Sequence, residues 1–279
     1  MTGRIFAIKR MEIHDGEGLR TTVFFKGCPL RCIWCHNPEG LLRTEQIAFF
    51  EDKCIGCGTC KGMRDRAAAE RCPVSALVSY GTEYDVKTLA DVLCADREFF
   101  LASGGGVTFS GGECLLQPDF AVALAKELFH RGISVFVDTC GLTDEGTLNR
   151  IIPFTDKFLY DIKAIDPALH KRCTGQDNAQ ILQNLTYISQ KGCKIEIRYP
   201  LLQGLNDTEC EPIARFLKGM KGIEAVKVLQ YHTFAASKYK ALGMPCAFPA
   251  LKTTYEDVVR AVNVFKKHGL PAINGMDGE

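Results

Sequence analysis

Three thiols, Cys28, Cys32 and Cys35, stand at C-x3-C-x2-C spacing inside the stretch Gly27-Cys28-Pro29-Leu30-Arg31-Cys32-Ile33-Trp34-Cys35-His36-Asn37-Pro38-Glu39. An iron–sulfur cubane has four irons, each needing a ligand, so three cysteines leave one iron with open positions. An incompletely ligated metal reads as a reaction site, for the reason that catalytic zinc keeps a position free and structural zinc does not. The alternative is a structural zinc site completed by His36, although this is not a usual zinc spacing. A second group has Cys54, Cys57 and Cys60 at C-x2-C-x2-C spacing, followed by Cys72 in Arg71-Cys72-Pro73. Its four thiols suffice to cap one cubane fully, and a fully capped cluster transfers electrons or braces a fold. A zinc knuckle and a metal-free insert are the other readings of these four.

The bulk properties set the frame. At 279 residues and 46% hydrophobic content, the chain can bury one large core. Lys and Arg number 34 against 33 Asp and Glu, which gives neither a nucleic-acid nor a membrane-surface footprint. No apolar run approaches the length of a membrane span and no signal-peptide core opens the chain, so a cytoplasmic protein is expected. In a reducing compartment, clustered thiols among the 14 cysteines point to metal rather than disulfides. Cys94, Cys114, Cys140, Cys173, Cys193, Cys210 and Cys246 are scattered and read as buried or free thiols.

The elements that must position the cysteines follow from composition. Residues 21–25, Thr-Thr-Val-Phe-Phe, are β-branched and aromatic and lead straight into the first cysteine loop. Five further strands are expected, over 105–110, 134–137, 157–160, 194–199 and 225–229. Helical spacing lies between or after them at 86–96, 118–130, 144–152, 167–191, 207–220 and 254–268. Such alternation makes βαβ units and a mostly parallel sheet, and six units are too few for a closed eight-stranded barrel. The expected class is therefore α/β, a partial (β/α)6 barrel formed by residues 1–42 and 80–279. Residues 43–79, which carry the second cysteine group, read as a small ferredoxin-like insertion.

The polar motifs sit in register with this plan. Each strand is followed or closed by one: the cysteine loop, Gly111-Gly112-Glu113, Asp138-Thr139-Cys140-Gly141, Asp161-Ile162-Lys163, Arg198-Tyr199 and Gln230-Tyr231-His232. A lone strand-end Asp is usually a helix cap and a lone Gly-Gly a turn, but motifs at six strand ends converge on one barrel mouth.

Asp15-Gly16-Glu17-Gly18-Leu19-Arg20, residues 24–32 and residues 34–39 resemble the opening of the glycyl-radical-enzyme activating enzymes, within the radical S-adenosylmethionine (SAM) superfamily. The resemblance implies a [4Fe–4S] cluster on Cys28, Cys32 and Cys35, with SAM chelating the open iron. Reductive cleavage of SAM gives methionine and a 5′-deoxyadenosyl radical, which abstracts hydrogen from a backbone glycine of a partner enzyme. Trp34, His36, Asn37, Gly111, Gly112, Glu113, Asp161, Lys163 and His232 match positions near SAM, with Glu113 suited to its ammonium. Lys163 and Arg198 suit its carboxylate or ribose side and His232 its ribose or adenine, with an ordinary solvated or salt-bridged role as the alternative for each of the three. Asp138, Thr139 and Asp161 match a monovalent-cation site of pyruvate formate-lyase activating enzymes, and hard oxygen ligands held this close would repel without a cation; pairing of Asp138 and Asp161 with Lys163, or helix capping, is the alternative. Asp15, with Glu17 where the family has proline, lies where the family receives the partner's glycine loop; a local turn-forming role is the alternative. The family also implies a flavodoxin or ferredoxin as electron donor, and a monomer is expected. Larger members carry two ferredoxin-like clusters on eight cysteines. Here four cysteines, with eleven residues between Cys60 and Cys72 where the family has three, imply one auxiliary [4Fe–4S] cluster. A radical SAM enzyme acting on a small molecule and a non-catalytic iron–sulfur electron carrier are the rival readings.

Overall fold

The strand formed by the β-branched and aromatic run, Arg20–Phe25, is buried at every residue. A strand tolerates this only where both faces of its sheet are covered, as helices do in α/β folds. A computed structural model describes residues 1–246 and 248–275. Its strands are β1 (Thr2–Glu12), β2 (Arg20–Phe25), β3 (Gln46–Phe49), β4 (Leu77–Tyr80), β5 (Thr82–Asp85), β6 (Gly106–Gly111), β7 (Ser134–Thr139), β8 (Lys157–Asp161), β9 (Lys194–Leu201), β10 (Ile223–Gln230) and β11 (Ala272–Asn274).

Nine of them form one sheet in the order β11-β10-β9-β8-β7-β6-β2-β1-β5. From β2 to β11 all neighbours are parallel, while β1 and β5 add an antiparallel margin. The six expected strands are present, and β11 adds a seventh parallel one. Its three residues follow Gly269-Leu270-Pro271 and are too short to show a period. The helices between the strands carry their own start signals. Asp85, Asp144 and Asp166 each accept a bond from the backbone N–H three residues on. Thr254 and Asp257 close a capping box ahead of Tyr255–Lys267. The helical stretch expected over 167–191 is broken, because Gly175 ends Pro167–Thr174 at a left-handed φ of 78°. The core fills the space between sheet and helices with Val23, Phe25, Phe109, Leu124, Phe158, Ile197 and Phe265, all fully buried.

Strands β3 and β4 pair with each other as a separate antiparallel ribbon, and Cys54, Cys57, Cys60 and Cys72 lie on the chain between them. A helix without an obvious sequence signal, Ala236–Leu242, follows β10 and packs against β3. Among the described residues no helix is long and apolar enough to cross a membrane, and every cysteine is free of disulfides.

Candidate active site at the barrel mouth

The end of β2 and the end of β6 are laced to the root of the cysteine loop. Gly112 N donates to Phe25 O at 2.9 Å, Glu113 N to Gly27 O at 2.8 Å, and Gly27 N to Gly40 O at 2.8 Å. A Cβ at Gly111 would stand 2.3 Å from Phe25 N, and one at Gly112 would stand 2.3 Å from Gly40 O. The two glycines are thus required by the close passage of one chain over another. Glu113 is 1% exposed, and both of its oxygens are engaged. Oε1 accepts from Leu115 N at 3.0 Å and Thr139 Oγ1 at 2.8 Å, and Oε2 accepts from Cys140 N at 2.8 Å. It fastens the turn after β6 to the end of β7.

Above this lacing opens a cavity of about 340 Å³, lined by Cys28, Cys32, Trp34, Cys35, His36, Asn37, Gly111, Gly112, Asp138, Thr139, Asp161, Lys163 and His232. The motifs at the ends of β2, β6, β7, β8 and β10 therefore meet. Glu113, Arg198 and Asp15 are not on its wall. Ser110, Cys140 and Tyr231, to which no individual role was given, are; Cys140 and Tyr231 belong to strand-end motifs and Ser110 directly precedes one, and that was the available signal.

Burial pushes the Cys28 thiol up to about 12, with Glu113 adding to it. Burial does the same to Cys32, where Lys163 pulls the other way. Cys35 is raised by burial and eased by the Asn37 N–H. Lys163 donates to Asp161 Oδ2 at 2.8 Å; burial works against its charge, but Asp161 and the neighbouring thiols hold its pKa above the ordinary lysine value. The His36 ring stacks on His232 with centroids 4.0 Å apart, and His232 stacks in turn on exposed Phe234 at 4.3 Å. Burial, with His232 beside it, lowers His36 to about 4, so both rings are neutral at pH 7. Trp34 is buried with Ala164, Leu169 and Tyr231, tying the cysteine loop to the far side of the mouth.

Behind the wall lies a charge network. Arg198 stands within β9 rather than at its end, since that strand runs on to Leu201. Its guanidinium reaches Glu196 Oε1 at 3.1 Å, Asp15 Oδ1 at 3.3 Å and Asp138 Oδ1 at 3.7 Å, and donates to His14 O at 2.9 Å. Asp15 also accepts from Thr22 Oγ1 at 2.8 Å, and Asp138 from Ser110 Oγ at 2.6 Å. Asp138 is raised to about 7, by burial first and by Asp161 and Asp15 next, with Arg198 opposing.

The insertion builds a second hollow, of about 220 Å³ and mostly apolar, on which Cys54, Cys57, Cys60 and Cys72 all border together with Phe49, Val74 and Leu77. Hydrogen bonds lower two of these thiols: Cys57 through Thr59, and Cys72 chiefly through the Leu77 backbone. Among the described residues no group of three or more His, Cys, Asp or Glu is gathered closely enough for a single metal ion. In both places the thiols surround a space.

A cysteine triad at the strand-end mouth of an open parallel sheet defines the radical SAM class, and the profile of the Radical SAM superfamily matches residues 22–217. Trans-4-hydroxy-L-proline dehydratase activating enzyme of Clostridioides difficile is 38% identical over 86% of this chain and 87% of its own length. Choline trimethylamine-lyase activating enzyme of Oleidesulfovibrio alaskensis is 36% identical over 96% of each. A solved domain of pyruvate-formate lyase-activating enzyme from Bacteroides vulgatus superposes with a TM-score of 0.53 at 27% identity, over 61% of this chain and 99% of that one. The chain belongs to the glycyl-radical-enzyme activating enzymes of the radical SAM superfamily.

Proposed function

We propose that Cys28, Cys32 and Cys35 hold the [4Fe–4S] cluster, that SAM occupies the cavity beside it, and that the backbone glycine of a partner enzyme is the hydrogen donor. The single observation behind this reading is that the three thiols, Lys163, Asp161 and the two stacked histidines share one cavity of ligand size. The thiols fit the group: burial disfavours their charge, and metal ligation is what makes such thiols bind as thiolates. When bound, the reduced cluster and SAM supply the radical chemistry.

The chain's own residues orient and exclude. Lys163, pinned by Asp161, offers a fixed cation to the SAM carboxylate. The neutral His36–His232 stack offers an apolar face and ring nitrogens to the ribose or adenine. Gly111 and Gly112 leave their backbone bare at the wall, while Glu113 would have to release Thr139 and Cys140 to reach the SAM ammonium. A monovalent cation at Asp138, Thr139 and Asp161 would restore the charged form of Asp138, which burial opposes. Asp15, held by Arg198 and Thr22, presents the turn that meets the partner peptide. That peptide would leave its own fold to cross the open mouth, a disorder-to-order exchange.

The insertion is read as one auxiliary [4Fe–4S] cluster on Cys54, Cys57, Cys60 and Cys72, with a flavodoxin or ferredoxin as donor to the enzyme. A cytoplasmic, anaerobic monomer completes the reading. The two relatives above bear the names of two different partner enzymes at nearly equal identity, so the partner is taken at the level of the glycyl radical enzyme class. The test is 5′-deoxyadenosine formation by the anaerobically reconstituted, chemically reduced protein given SAM. Formation by wild type and none by Cys32→Ala supports the reading. Equal formation by both defeats it.

A further inference from the structure

Helix Ala236–Leu242 begins a short loop beyond β10 and reaches back to the cysteine loop from the opposite end of the chain. Lys238 Nζ donates to His36 O at 3.0 Å, to Asn37 Oδ1 at 3.4 Å and to Glu39 Oε1 at 2.6 Å. On the next residue, Tyr239 OH donates to Cys35 O at 3.1 Å. The backbone of the third cysteine and of the residue after it is thereby held by two adjacent side chains of one helical turn. Glu39 is 4% exposed, and its second oxygen, Oε2, is buried without a hydrogen-bond partner among the described residues. Its main-chain oxygen accepts from Lys26 Nζ at 2.7 Å. A carboxylate so placed, four residues past a thiol, adds negative charge beside whatever the thiols hold, and Lys238 is the cation in contact with it.

We propose that Lys238 is a positioning and charge-setting residue for the cluster on Cys28, Cys32 and Cys35, holding the His36 carbonyl and the Asn37 side chain in place, beside the Tyr239 bond to Cys35 O, and offsetting buried Glu39. The inference rests on the reading of those cysteines as the cluster ligands. Cluster potentials follow local charge and the hydrogen bonds around the ligands, and residues that orient ligands act through them. An ordinary ion pair would need only the Glu39 contact. Lys238 spends two further donors on the loop itself, and Tyr239 adds a third bond there, which a surface pair would not do. Each added electron makes the cluster more negative, so a nearby positive charge favours the reduced state and an unpaired carboxylate opposes it.

The test is a potentiometric titration of the reconstituted full-length holoprotein, followed by the EPR signal that responds to SAM. Lys238→Met should move the midpoint of that signal to more negative potential and alter its line shape, whereas Lys238→Arg should keep both near wild type. The double variant Lys238→Met with Glu39→Gln should bring the potential back toward wild type while the line shape stays altered, since charge is rebalanced and the brace is not. Midpoint and line shape unchanged in Lys238→Met overturn the proposal, as does a double variant as low in potential as the single one. If Lys238→Met assembles no cluster, Glu39→Gln alone decides: it should shift the midpoint to less negative potential, and no shift refutes the charge role. A wild type lacking any SAM-responsive signal refutes the cluster reading itself, a failure distinct from a normal wild type with an indifferent Lys238→Met.

Discussion

The barrel mouth and the insertion present the same element, closely spaced cysteines, in opposite surroundings. At the mouth the thiols border a walled cavity, burial drives two of them up to about 12, and cations stand near, Lys163 against Asp161 and Lys238 against Glu39. In the insertion Cys54 and Cys57 are exposed, and short-range bonds from Thr59 and from the Leu77 backbone lower Cys57 and Cys72. Spacing marks a thiol group as a candidate ligand set; the surroundings decide what a bound group could do. A three-thiol set needs walls, placed charges and a vacant coordination position to act on a substrate, whereas a four-thiol set needs little beyond its own loop.

That contrast can be broken at several points. Cys32→Ala should reduce 5′-deoxyadenosine to background in a discontinuous assay with chemical reductant, while Cys57→Ser should leave SAM cleavage measurable under the same conditions. Arg198→Met leaves Asp15, Asp138 and Glu196 without their shared cation, and should destabilise the fold by about 3 kcal/mol or more in denaturant titration. Lys163→Met removes one charge-assisted contact of roughly 1.5–3 kcal/mol, so SAM binding measured calorimetrically should weaken about 10- to 100-fold.

The pH dependence of Asp138 follows from its raised value of about 7. The folded state holds this proton more tightly than the unfolded chain, where a carboxyl titrates near about 4. The contribution is therefore full below about 4 and is lost as pH rises through about 7. Asp138→Asn should flatten that part of the stability profile of the metal-free protein. The smallest effect belongs to the insertion: Arg66→Met breaks a half-exposed pair with Glu45 at 2.9 Å and should cost about 0–1 kcal/mol in the same denaturant assay.

Much of this was legible in one dimension. The run Thr21–Phe25 announced a strand, and the periodic alternation beyond it placed five more, because β-branched residues and 3.6-residue spacing are local properties. The motifs at strand ends could be brought together by the rule that a parallel sheet presents them on one rim, and five of the six line the cavity in whole or in part. Arg198 was legible as a cation near the mouth, with Glu196 two residues away on the same face of its strand, but not as the hub of three carboxylates, since Asp15 and Asp138 come from a distant turn and another strand. Glu113 read as a free acceptor because its partners, Thr139 and Cys140, arrive from the next strand. Helix Ala236–Leu242 carries no strong pattern of its own; it is held by pairings such as Lys238 with Glu39, which only the fold creates.

The most direct test of the central claim is the EPR spectrum of the reduced protein with and without SAM, taken for wild type, Cys32→Ala and Cys57→Ser. The account predicts a signal that SAM perturbs in wild type and in Cys57→Ser and that is missing from Cys32→Ala. A SAM-perturbed signal that survives Cys32→Ala, or one that vanishes only with Cys57→Ser, would put the reactive cluster in the insertion and contradict the assignment of the mouth.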